Sequence, residues 1–364
     1  MTHRHNARLL TASLLTVLLA GCAAAPSASD EAVQPHSVAV TVMTFNVENL
    51  FDNEDDPGKD DKTYLPVTAK QNAAHVAACN DIEVNRWRED CLILDWNDAT
   101  LDYKLSVIAG SIQQVNDGRG ADIVALQEVE NIAVLERLRT DYLAASGYLP
   151  AILIEGTDAR GIDVGFLTKL PLAAPPKLHA LHLPAFPERE RDTRGVLQAD
   201  FRLPDGSVLT GFSVHFPAPF HPTEMRIAAY EHLNDLLAGL PDHQHAFAAG
   251  DFNTTSGEDA AKHMLDTWAR PHWTVAHDLG CGDCRGSHYY ARNDSWSFLD
   301  MILFASARSE KTTGSIRADS VRIANKHSAQ VTASGTPQRF DADGPRGVSD
   351  HFPVIATLEL TQKQ

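Results

Sequence analysis

The decapeptide DIVALQEVEN, Asp122 to Asn131, is a short apolar run that ends on carboxylates. Its length and its polar borders predict a buried strand, and that strand delivers Glu128 at its end. Working outward, the same arrangement recurs. Val38 to Asn46 (VAVTVMTFN) alternates, is rich in β-branched residues and stops on Asn46. His215 follows GFSV, Asp251 and Asn253 follow AFAAG, Asp300 sits inside SFLDMIL, and Asp350-His351 precedes a strand over Val354 to Leu360. Val164 to Thr168 is a further strand, and Leu197–Arg202 and Ser207–His215 flank the turn signal Pro204-Asp205-Gly206. Between the strands, Leu101, Leu105, Ile108, Ile112 and Val115 share one helical face, as do Met225, Ala229, Leu233, Leu236 and Leu240, and Leu135 and Leu138 open a third helix. Strands, hairpins and helices alternate irregularly, so the expected class is α+β with central sheets rather than one doubly wound sheet.

Composition sets outer bounds. The chain has 364 residues, of which 43% are hydrophobic and 22% charged, which excludes a disordered chain and a multispan membrane protein. With 31 basic against 48 acidic residues the net charge is −17. Such a chain has no basic field with which to coat nucleic acid by phosphate neutralisation, although a bound metal ion can supply positive charge locally.

The start of the chain reads as an address. Arg4 and Arg8 precede an apolar run, Leu9 to Leu19, too short to span a bilayer as a mature helix. Leu19-Ala20-Gly21-Cys22 resembles the lipobox of bacterial lipoproteins, in which cleavage leaves Cys22 as a lipidated N-terminus. The alternative is an ordinary secretory peptide; the small residues at the processing site favour the lipobox. Residues 23–37, rich in Ala, Ser and Pro, read as a tether, and residues 38–361 as the folded domain. The expected address is the outer membrane, facing the periplasm and held by an N-terminal lipid anchor, with no protein partner indicated. In an oxidising compartment the remaining cysteines favour local disulfides, Cys79–Cys91 and Cys281–Cys284. A zinc site of His277, Cys281, Cys284 and His288 is the rival for the second pair.

The polar strand-end residues form one chemical set. Carboxylates and an amide oxygen suit a hard divalent cation such as Mg²⁺, and two histidines with two spare aspartates suit proton transfer. The motifs FNVENLFD (Phe45–Asp52), DIVALQEVEN, RGIDVGFL (Arg160–Leu167), SVHFP (Ser213–Pro217), GDFN (Gly250–Asn253), SFLDMIL (Ser297–Leu303) and SDHFPV (Ser349–Val354) resemble, in order, those of the endonuclease/exonuclease/phosphatase superfamily. The resemblance covers Val38 to Leu360. It implies a four-layer α/β sandwich with two central, mostly antiparallel sheets flanked by helices, as in pancreatic deoxyribonuclease. The chain departs from the compact pattern by a long insertion, residues 53–100.

Residue by residue, the resemblance implies that Asn46, Glu128 and Asp350 hold the metal. Asp251 would orient or deprotonate the attacking water, and Asn253 would hold that water and a phosphate oxygen. Asp300 would orient His351, while His351 and His215 would contact the phosphate. Asp163 is the candidate to orient His215. Arg160 is read as a surface residue, with a phosphate contact as the alternative. The metal is expected to be Mg²⁺, with Mn²⁺ a substitute. No GxSxG motif or Gly-rich phosphate loop is present, so direct attack by water on a phosphodiester is the expected chemistry. The expected substrate is nucleic acid, DNA above all, cut with little sequence preference. The alternatives are a phosphatase or a sphingomyelinase-type phospholipase C acting on lipids or small molecules, and an inactive binding lipoprotein of the same fold.

Two other features complete the reading. Asp52, Glu54, Asp55, Asp56, Asp60 and Asp61 around Gly58 loosely mimic a calcium loop. They are read as a solvated acidic loop, with a structural Ca²⁺ as the alternative. Tyr289, Tyr290 and Trp296 are read either as base-stacking groups at the site mouth or as packing residues.

Overall fold

The computed structural model describes residues 36–310 and 312–362; the leader with Cys22 and residues 23–35 of the tether lie outside them. The strands are β1 (His36–Leu50), β2 (Ile123–Val129), β3 (Ile152–Leu153), β4 (Asp163–Thr168), β5 (Lys177–His179), β6 (Val196–Arg202) and β7 (Val208–His215). They continue with β8 (His245–Asp251), β9 (Thr274–Val275), β10 (His288–Tyr290), β11 (Ser295–Ser297), β12 (Asp300–Ala305), β13 (Thr312–Ile323) and β14 (Val354–Gln362). One six-stranded sheet has the order β13-β14-β1-β2-β4-β3 and the other β5-β6-β7-β8-β12-β9, while β10 and β11 form a separate hairpin. Each six-stranded sheet is antiparallel except for one central parallel pair, β1 with β2 and β7 with β8.

The layers follow from side-chain alternation. Val40, Val42, Ile123, Ala125 and Phe166 of the first sheet pack against Leu197, Phe201, Phe247 and Ile302 of the second. On the outer face of the first sheet, Met43, Phe45, Val124 and Leu126 meet Leu101, Leu105, Ile108 and Ile112. Those four leucines and isoleucines are the buried stripe of a helix over Asp98–Ile112. The outer face of the second sheet, with Phe212, Ala246, Ala248 and Met301, is covered by Met225, Ala229, Tyr230 and Leu233 of the helix Thr223–Ala238. Helix, sheet, sheet, helix is the expected four-layer sandwich. Each large side chain sealed between these layers contributes about 1.5–3 kcal/mol.

The insertion carries two short helices, Ala73–Asn80 and Asn85–Ile93, bridged by the disulfide Cys79–Cys91. It shares a small core with Phe51, Ile162 and Phe340 of the main domain, in which Phe51 stacks on Tyr64 at 3.9 Å between centroids and Trp96 donates to Phe51 O at 3.1 Å. Cys281 and Cys284 form the second disulfide, and His277 stacks instead on Phe298.

Short strands β3, β5, β9 and β10 were not expected from the sequence, and three longer elements also differ from it. Strand β1 takes up His36 and Ser37 from the tether. The segment expected as one strand over Ser297–Leu303 is split: Ser297 closes β11, and β12 starts at Asp300, so Asp300 heads its strand. Strand β13 was not expected, because TTGSIRADSVRI carries few apolar residues to alternate.

Candidate active site

Strand direction gathers the polar residues. The parallel pairs place Asn46 beside Gln127 and His215 beside Asp251, all at the C-terminal ends of their strands. Strand β12 runs antiparallel to β8, so its first residue, Asp300, pairs with Asp251. Strand β14 runs antiparallel to β1, which returns Asp350 and His351 to the same edge. There Ser349 Oγ donates to Asn46 O at 2.7 Å. The edges of the two sheets touch: Asn46 Nδ2 donates to Glu128 Oε1 at 3.3 Å and to Asp251 Oδ2 at 3.1 Å.

Glu128 reaches this edge by a break in the pleat. Val124 and Leu126 face the helix layer, but so does Val129, a shift of one residue. The pairing register of β2 with β4 jumps between Gln127 and Val129, and Glu128 takes a left-handed φ of 64°. A bulge of this kind turns one side chain out of the alternation. Strand β1 does the same: its register with β2 jumps between Asn46 and Leu50, with Glu48 at φ 53° and Asn49 at φ 58°. Asn49 N–H then donates to Glu128 Oε2 at 3.0 Å. Left-handed backbone costs an L-residue about 1–2 kcal/mol, and such strain collects at functional sites.

The two histidines differ in their partners. His351 Nδ1 meets Asp300 Oδ2 at 2.7 Å, with Asp251 Oδ2 4.0 Å from its Nε2. Burial works against a charge on His351, yet Asp300, Asp350 and Asp251 outweigh it and hold the ring well above the usual histidine pKa. His215 Nε2 instead accepts from Arg194 Nη2 at 3.0 Å, and burial with the Arg194, Arg160 and His351 charges holds it well below that value. His351 is thus the charged ring and His215 the neutral one. Asp251, 3.6 Å from His215 Nε2, is pushed up to about 7 by burial, with His351 opposing and Asp300 adding to the rise. Asn253 is fixed by Nδ2 donating to Phe216 O at 3.0 Å and by its N–H donating to Asp251 Oδ1 at 2.8 Å.

The assignment of Asp163 as the orienter of His215 is corrected. Asp163 is buried at the head of β4, but its Oδ1 accepts from the Gly156 N–H at 2.8 Å, and the partner of His215 is Arg194. Arg160 is exposed, as read from the sequence, and reaches Asn49 Oδ1 at 3.3 Å.

Three residues that the structure brings to this candidate site were not singled out for it in the sequence. Arg194 is one. Glu48 is another: its carboxylate takes Arg339 Nε at 2.7 Å and the N–H groups of Phe340 and Asp350, each at 3.0 Å. The third is His288, read earlier only as a rival zinc ligand, whose ring lies 4.8 Å from that of His351. Buried Lys104 ties this wall together, donating to Glu48 O at 2.8 Å and Val348 O at 2.7 Å.

Glu128, Asp251, Asp300 and Asp350 converge here, and Asp300 Oδ1 is buried without a hydrogen-bond partner. This excess of oxygen ligands and negative charge fits a hard divalent cation. The residues that would hold it are Glu128, Asp350 and Asn46.

Residues 43–351 match the Endonuclease/Exonuclease/phosphatase family. No curated protein matches the sequence. Among solved structures, humanized D. rerio TDP2 superposes with a TM-score of 0.53 at 13% identity, covering 88% of this chain and 98% of that one. An endonuclease/exonuclease/phosphatase family protein from Bacteroides thetaiotaomicron gives 0.51 at 15% identity, covering 90% and 98%. D. rerio TDP2 complexed with single strand DNA product gives 0.50 at 15% identity, covering 88% and 98%.

Proposed function

The chain belongs to the endonuclease/exonuclease/phosphatase family, hydrolases acting on phosphoester bonds, and on that premise we propose a divalent-metal-dependent phosphodiesterase that cleaves DNA with little sequence preference. The observation that carries the chemistry is the Asp300–His351 pair aimed at Asp251, on the edge that also bears Glu128 and the Arg194–His215 pair.

Each side chain has a task. Asp251, with its carboxyl near 7, is suited to take a proton from the attacking water at neutral pH. Charged His351 presents its Nε2–H to the departing oxygen, while Asp300 fixes the ring through Nδ1. Arg194 brings a desolvated guanidinium beside His215, where it stabilises charge building on the phosphoryl oxygens. Glu128, Asp350 and Asn46 would hold the ion, taken here as Mg²⁺ with Mn²⁺ as a substitute, which would supply Lewis acidity toward those oxygens. Water is the nucleophile of this reading, because the nearby serines are engaged: Ser287 Oγ accepts from the Asp300 N–H and Ser349 Oγ donates to Asn46 O.

DNA as substrate draws support from the shared fold of the D. rerio TDP2 complex and from exposed rings near the edge. Phe220, 83% exposed, follows His215 on the loop leaving β7, and Tyr290, 48% exposed, lies on the hairpin whose His288 bridges His351. Such rings stack bases without reading sequence. The net charge of −17 makes binding weak and salt-sensitive. The test is nicking of plasmid DNA in low-salt buffer with Mg²⁺ or Mn²⁺. Metal-dependent nicking is expected; no nicking, together with metal-dependent release of phosphate or phosphocholine from another substrate, overturns the DNA assignment.

A further inference from the structure

A second group of carboxylates lies away from the Asp300–His351 pair. Asp56 and Asp61 come from the first loop of the insertion and Glu130 from the exit of β2, and one oxygen of each lies within 4.8 Å of the others. Glu130 is 2% exposed and Asp61 1% exposed. Their hydrogen bonds come from backbone groups and an amide. Asp61 Oδ2 accepts from the Asp56 N–H at 2.8 Å, and Glu130 Oε2 accepts from the Asp52 N–H at 2.6 Å and from Asn131 Nδ2 at 3.3 Å. Asp61 Oδ1 is buried with no partner at all.

Carboxylates at this spacing would repel one another if all were ionised with no cation between them, and an unpaired buried carboxylate oxygen is costly. The lysines of the same loop do not relieve them. Lys62 pairs with Asp60, and Lys59 Nζ donates to Gly156 O and Asp158 O, at 3.4 and 3.1 Å. What the group lacks is a compact positive charge able to accept several oxygen ligands.

We propose that Asp56, Asp61 and Glu130 bind a second divalent cation, of calcium type, which clasps the insertion to the end of β2. Hard oxygen donors drawn from a flexible loop are the ligands such an ion takes. The clasp holds the loop 52–61 against two parts of the reaction site. Asp52 and Glu130 sit beside the bulge that presents Glu128. The backbone of Asp60 and the Lys59 side chain bind the 156–161 segment, whose Asp158 lies 3.6 Å from Arg194. The site is independent of the reaction proposed above, since it shares none of its ligands.

The experiment titrates metal-stripped full chain with calcium chloride alone, by calorimetry and by thermal melting. A Glu128→Gln protein, lacking a ligand of the reaction site, is expected to bind one calcium ion and to gain about 5 °C in Tm at a hundredfold excess over Kd. Asp61→Asn and Asp56→Asn in that background are expected to lose both effects. Should Asp61→Asn fail to fold, half-buried Asp56→Asn carries the comparison. Loss of all calcium binding in Glu128→Gln overturns the proposal, because the ion would then belong to the reaction site. Unchanged binding in Asp56→Asn overturns it as well.

Discussion

The two sheets deliver reacting groups to one edge by opposite means. The second sheet does so in register: β7, β8 and β12 bring His215, Asp251 and Asp300 side by side with no break in pairing. The first sheet does so by breaking its pleat, with bulges in β1 and β2 and left-handed backbone at Glu48, Asn49 and Glu128. In the proposed reaction the regular edge carries Asp251 and Asp300, whose geometry toward water and His351 must be rigid to about a hydrogen-bond length. The bulged edge carries the ion's carboxylate, which alternation would otherwise have turned into the helix layer. Strain is therefore spent where a side chain must leave the lattice, and withheld where the lattice already aims it.

Removal of His351, which the turn before β14 of the first sheet hands to Asp300 of the regular edge, has the largest expected effect. His351→Ala is expected to lower kcat on the true substrate by about a hundredfold or more, with no rescue by added metal. Near-normal turnover would remove the dyad from the chemistry. Arg194→Met comes next, with a loss of about tenfold in kcat/KM. Burial and the Arg194 charge hold His215 below its usual pKa, so removing the guanidinium lets that pKa rise. Asp251, which must be ionised to take the proton, sets the acid limb, and loss of the Arg194 charge that favours its ionised form should move that limb to higher pH. A limb that stays in place would mean that Asp251 does not set it. The smallest effect, one on stability, sharpens the contrast. Glu128→Gly is expected to abolish metal-dependent activity yet raise stability by about 1 kcal/mol, read as a higher Tm in chelator, because glycine adopts a left-handed φ without steric cost. A lower Tm would show that the bulge is not strained.

Most of the fold and of the reaction site was legible because both depend on a local pattern, a buried apolar strand that stops on a polar residue. Asn46, Glu128, His215 and Asp251 carry it, the 350–351 pair stands instead just before its strand, and helix Asp98–Ile112 is readable from one face. Arg194 was not legible, since it closes a run with Arg189 and Arg191 that reads as a solvated loop. The local sign was Gly195, with φ 74° and no room for a Cβ, which would meet His179 O at 2.7 Å. Glycine there turns the chain sharply into β6 and leaves Arg194 pointing inward. Glu48 lay past Asn46, the expected end of its strand, because the bulge that carries β1 on to Leu50 leaves no mark in composition. Asp163 misled for the opposite reason. It has the burial of a site residue, but a backbone N–H and not a ring takes its oxygen.

Strand β14 pairs with β1 on one side and β13 on the other, and the turn before it carries Asp350 and His351. Until β14 has docked, β1 has an unfilled neighbour, and Asp300 has no imidazole to hold. Its partner β1 lies more than three hundred positions earlier in the chain, so this pairing is among the slowest to close. Synthesis and assembly thus act as a timer: a partly made or clipped chain bears most of the carboxylates but no proton donor, and hydrolytic power arrives only with completion of the fold.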